Sequence, residues 1–145
     1  MVRTLLKIII VLGLVISAGS LILFTKAIMY PLIENPYLPL GNLVAAIAIV
    51  CYISLGHVFI NALACPVTAK QKLLSWLSLC LIFLAFLWLP VGYILAGDFA
   101  ANFGPTDTFQ GSNLAGVIYR NFTIGLLITA PLYWLITLFI NRREQ

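Results

Sequence analysis

The sequence predicts an all-α integral membrane protein, a four-helix bundle forming a single domain over residues 1–145, with spans near 5–30, 40–64, 73–97 and 113–141. Three observations predict it. Of 145 residues, 63% are apolar and 8% charged, against roughly 25% charged in a soluble domain. A chain this small leaves too much of itself at the surface to hide that hydrocarbon from water. Charge-free stretches at 8–25, 35–69, 73–97 and 121–141 approach or exceed the ~20 helical residues that a hydrocarbon layer of about 30 Å requires. Finally, the basic residues sort by side. Arg3, Lys7, Lys70, Lys72, Arg142 and Arg143 flank one set of span ends, and only Lys26 and Arg120 the other, so both termini are expected on the cytoplasmic side.

Span one carries Arg3 and Lys7 before an apolar run, and Ser17-Ala18-Gly19 resembles a signal-peptide cleavage site. The apolar run continues through Phe24, so a retained anchor is expected. It should stop at Tyr30, because Pro31 disfavours helix in the residue before it. Pro31 to Pro39 reads as a compact proline-rich outer link. Span two starts near Leu40 and ends before Cys65-Pro66, and a short inner loop leads to span three. The outer segment 98–112 holds a Gly104-Pro105-Thr106-Asp107 turn, with Phe99, Phe103 and Phe109 at headgroup level. Trp88, Tyr93, Tyr30, Tyr37 and Tyr119 fall toward outer ends and read as an aromatic belt. Pro90 and Pro131 should break or kink spans three and four by freeing the carbonyls of Phe86 and Leu127.

His57 is the most informative residue, because an ionisable group inside a membrane is costly and faces protein or water. At 100° per residue, Cys51, Ser54, His57, Asn61 and Cys65 share an arc of about 120° on span two. Ser54, His57 and Asn61 could line a proton path or ligand pocket. The plainer alternative is a packing seam with hydrogen bonds across helices. Gly13, Ser17 and Ser20 give span one a small-residue packing face. Gly116, Arg120, Thr123, Ala130, Thr137 and Asn141 share a face of span four, while Ser75 and Ser78 lie near the inner end of span three. Four such faces predict seams that meet in the middle. Arg120 either anchors its helix by snorkelling or gathers an anion or lipid headgroup at the outer interface, with Asp98, Asp107 or Glu34 as partners.

Several classes are excluded. The scattered basic residues form no nucleic-acid face. One histidine cannot supply both axial ligands of a haem, and no His/Cys/Asp set has zinc spacing. The Cys-x-x-Cys of thiol oxidoreductases is missing. Neither cofactor nor metal is expected. Cys65 is juxtamembrane and reads as a packing residue or a palmitoylation site. Asn121-Phe122-Thr123 matches a glycosylation acceptor but sits at the membrane boundary.

The expected function is non-catalytic: an accessory or assembly subunit, or an inhibitor, of a larger membrane complex, acting by helix packing. Its partners would be lipid and other membrane subunits or copies of itself, in a bacterial cytoplasmic membrane. The alternative is a small oligomeric transporter or channel using Ser54, His57 and Asn61, with histidine's near-neutral titration for proton coupling. A lipid- or quinone-directed enzyme comes third, since His57 and the outer acidic groups lie on opposite sides of the bilayer.

Overall fold

The structure, a computed structural model, describes residues 2–34, 37–59, 68–97, 103 and 111–143, with backbone alone at 2, 3, 25 and 141–143. Its order is α1 (Val2–Leu23), α2 (Thr25–Ile28), β1 (Pro31–Ile33), β2 (Leu38–Pro39), α3 (Leu40–Phe59), α4 (Ala69–Phe86), α5 (Trp88–Ala96) and α6 (Asn113–Arg143). Four helices, α1, α3, α4 and α6, are long and apolar enough to cross a membrane.

Local chemistry explains most of the boundaries. The first span is not continuous to Tyr30: α1 ends at Leu23 and one turn, α2, comes after a non-helical Phe24 (φ −113°, ψ 49°). Nothing in the residue pattern explains that break. The proline-rich link is a small antiparallel ribbon instead of a plain loop. Pro31 faces Pro39, and Ile33 faces Leu38 across an irregular register. Prolines lack the ladder donor and keep such a ribbon short. The Leu40 N–H closes it on the Tyr30 carbonyl at 2.9 Å.

Span three begins at Ala69, four residues before the charge-free stretch, because Thr68 and Gln71 form a reciprocal capping box. The Gln71 N–H donates to Thr68 Oγ1 at 3.2 Å, and the Thr68 N–H to Gln71 Oε1 at 3.3 Å. The helix is interrupted at Leu87 and resumes as α5, with Pro90 in its first turn, where a missing N–H costs least. Gly97, at φ 76°, closes α5 in the left-handed conformation. In α6, Ser112 accepts from the Ala115 N–H at 3.2 Å as an N-cap. The 31 residues of α6 extend about 46 Å and run through Pro131 without interruption, so the break expected there is not a break in the helix.

The helices do not meet four-square. α3 is central: it packs against α1, α4, α5 and α6, whereas α1 packs on α3 and has next to no described contact with α4 or α6. The α1–α3 pair is antiparallel, with Lys7 beside Phe59 and Gly13 beside Cys51. Buried positions repeat at alternating spacings of three and four. On α4 and α5 the series is Leu74, Ser78, Ala85, Trp88, Gly92; on α6 it is Tyr119, Leu126, Ala130, Tyr133, Thr137. Half-buried Leu81 and Thr123 fill the missing places. This is the seam of left-handed helix packing.

Candidate functional site

Buried polar groups of α3, α4 and α6 gather near the C-terminal end of α3, while Asn42, also buried, lies at its start. His57 of α3 is 3% exposed and Ser78 of α4 is 2% exposed, and His57 Nδ1 is hydrogen-bonded to Ser78 Oγ. The Ser78 hydroxyl also donates to the Ser75 carbonyl at 3.2 Å. A serine has one proton. With that proton on Ser75, the imidazole donates from Nδ1 and presents a bare lone pair at Nε2. That Nε2 is buried and has no partner among the described residues. One turn along α4, the Tyr133 hydroxyl of α6 donates to the Leu74 carbonyl at 3.1 Å. Thr137, buried one turn further along α6, donates to the Tyr133 carbonyl at 2.8 Å.

Two more cross-helix bonds lie higher in the bundle. The Trp88 indole N–H of α5 donates to Thr123 Oγ1 of α6 at 2.8 Å. The Tyr52 hydroxyl of α3 reaches the Leu127 carbonyl of α6 at 3.4 Å, the carbonyl whose helical partner would have been the N–H that Pro131 lacks. Around these bonds, aromatic rings occupy glycine notches. A Cβ on Gly56 would lie 1.5 Å from Trp134 Nε1, and one on Gly92 would lie 2.8 Å from the Tyr119 hydroxyl. Tyr52 and Trp134 pack ring against ring at 5.1 Å, and Trp88 and Tyr119 at 5.4 Å.

The residues singled out in the sequence are distributed unevenly. His57 is in the buried knot, Ser54 is half-buried on α3, and Asn61 and Cys65 lie outside the described residues. Gly13 abuts Cys51 Sγ, which a Cβ would approach to 2.8 Å. Ser17 is buried and donates to the Gly13 carbonyl at 2.5 Å; Ser20 donates to the Ile16 carbonyl at 2.7 Å. Both hydroxyls are turned back onto their own helix. Arg120 is exposed, away from the packed face of α6, and forms no ion pair among the described residues. Glu34 is exposed, and Asp98 and Asp107 lie outside the described residues.

Trp88 and Tyr119, expected in an interfacial belt, are core residues at 2% and 5% exposure. Depth along a span fixes a residue's height but not the side it faces. Phe103 packs on the N-terminal end of α3 at Gly41, while Phe99 and Phe109 lie outside the described residues. Sequence reasoning missed the glycine notches at Gly56 and Gly92 and the aromatic residues that fill them. The signal available was the recurrence of glycine and aromatic residues at spacings of three and four.

Chemically, the knot is a hydrogen-bonded tie. Ser78 faces an imidazole, as a nucleophile would, yet its side chain is enclosed, and its one proton serves either the Ser75 carbonyl or His57 Nδ1. Among the described residues no three His, Cys, Asp or Glu side chains come together as a metal set would. No family model matches the chain, and no curated protein or solved structure matches it.

Proposed function

We propose that the chain is a non-catalytic multi-pass membrane protein working by helix packing, as an accessory or assembly subunit, or an inhibitor, of a larger membrane complex. One observation carries the reading: four polar side chains of the packed faces bond across to neighbouring helices. His57 goes to Ser78, Tyr133 to the Leu74 carbonyl, Trp88 to Thr123 and Tyr52 to the Leu127 carbonyl. Such bonds contribute about 0.6 kcal/mol each on average in a membrane and make a specific bundle. The other side of the argument is the outside. α1 is packed on one side only, with Leu5, Ile9, Leu12 and Ile16 exposed, and those faces are free for lipid or for helices of a partner. The charge asymmetry supports an orientation with both termini on the cytoplasmic side.

Extraction in mild detergent followed by native mass spectrometry tests the reading. An integral membrane partner at fixed stoichiometry is expected, and a lone 16.0 kDa chain would overturn it. In intact cells, an impermeant reagent should leave the C-terminal tail unlabelled; labelling would invert the orientation. A small oligomeric transporter running through Ser54, His57 and Asn61 is the second reading. The unsatisfied His57 Nε2 is the observation on its side. Lipid or quinone chemistry has less support, because the one carboxylate among the described residues, Glu34, lies in the link after β1, at the other end of α3 from His57.

A further inference from the structure

At 100° per residue on α3, Leu55 and Phe59 lie between Cys51, which meets α1, and Tyr52 and Gly56, which meet α6. α1 and α6 have next to no described contact with each other, and the strip between them stays partly open, with Leu55 half-buried and Phe59 48% exposed. There, Leu55, Gly56, Phe59 and Trp134 line an apolar groove of about 270 Å³. The Trp134 indole nitrogen is turned into the Gly56 notch, which leaves the groove hydrocarbon-walled. At its end sits a cation: Lys7 Nζ of α1 lies 5.0 Å from the centroid of the Phe59 ring, within cation–π range.

We infer that this groove binds an anionic phospholipid, with one acyl chain along Leu55, Phe59 and Trp134 and the phosphate on the Lys7 ammonium. The apolar lining selects a tail, and the lysine at the groove's charged end selects a headgroup. The cation argues for an occupant with an anionic head: Lys7 Nζ stands at the Phe59 end of an otherwise purely apolar lining, where a phosphate above an acyl chain meets both chemistries. The inference is independent of any partner complex, since it concerns the chain's own surface.

The test is native mass spectrometry of the purified chain in detergent doped with equal amounts of dioleoyl phosphatidylglycerol and dioleoyl phosphatidylcholine. One retained phosphatidylglycerol is expected, preferred roughly fivefold, about what one lysine contributes beside an anionic surface. Lys7→Gln should bring the two lipids near parity, and Leu55→Trp should remove both adducts while circular dichroism and elution volume stay unchanged. As a second measurement, phosphatidylglycerol with brominated chains should quench the Trp134 emission, taken as the difference between wild type and Trp134→Phe, and quench it less in Lys7→Gln. Equal retention of both lipids by the wild type, or wild-type preference in both variants, overturns the inference. So does a dimer without lipid that Leu55→Trp dissociates, which would put a second copy in the groove.

Discussion

Replacing Tyr52 by Phe isolates a single interaction. The ring is kept, and with it the 5.1 Å packing on Trp134; only the hydroxyl that reaches the Leu127 carbonyl is lost. In most helices that carbonyl would keep its backbone donor and the loss would be minor. Here residue 131 is proline, so no N–H waits four residues on, and in hydrocarbon no water replaces it. Leaving an acceptor without a donor where no water reaches it costs roughly 1–3 kcal/mol, and this carbonyl, on a residue 41% exposed, meets that condition only in the bilayer. The present bond, at 3.4 Å, is longer than the usual 2.5–3.0 Å for a hydroxyl donor, which sets the expectation at the low end, about 1 kcal/mol. Pro131→Ala supplies the missing N–H. In that background Tyr52→Phe should cost only about 0.3 kcal/mol, because the carbonyl no longer depends on the phenol. The assay is reversible unfolding by SDS titration in mixed micelles for wild type, both single variants and the double variant. A coupling near 0.7 kcal/mol is expected, and a cycle that is additive to within about 0.3 kcal/mol refutes the reasoning.

Three further predictions rest on the same packing. His57→Ala and Ser78→Ala should be coupled by about 0.6 kcal/mol, with roughly 1.7 as the ceiling for such bonds, while wild-type proteoliposomes show no proton flux above empty liposomes; a flux that His57→Ala abolishes would favour the transporter reading. Gly56→Leu must displace Trp134 and should destabilise the bundle by about 1–3 kcal/mol, with a shift in tryptophan emission. Gly19→Ala and Gly125→Ala, where an added Cβ meets nothing within 4 Å, should stay within about 0.5 kcal/mol of wild type; the same unfolding titration separates the two outcomes.

The four helices were legible because length and missing charge suffice where the solvent is hydrocarbon. The start of α4 was equally legible, in Thr68 and Gln71, but the charges at Lys70 and Lys72 pointed past it. The seam was harder for a physical reason. Lipid-facing and core-facing positions are both apolar, so Ile128 at 55% exposure and Leu126 at 3% look alike in the sequence. Only small, hydroxyl-bearing and aromatic residues distinguish the two sides. His57 could be placed on α3 from its spacing. Its partner could not, because which helix lies opposite depends on the order of packing and not on any one span.

The break at Leu87 shows what the seam requires. A proline interruption would ordinarily reorient the helix beyond it, yet the three–four series passes from Ser78, Leu81 and Ala85 to Trp88 and Gly92 without losing step. The same face of the chain therefore stays against α6 before and after the break. Trp88 is the residue at which this is enforced. It packs on Tyr119 and bonds to Thr123, between Pro90 and Phe86, the carbonyl that the proline deprives of its helical donor. The interruption is local: the Leu87 N–H still donates to the Phe83 carbonyl at 3.1 Å and the Val91 N–H to the Leu87 carbonyl at 2.9 Å, so the backbone ladder and the seam both run across it.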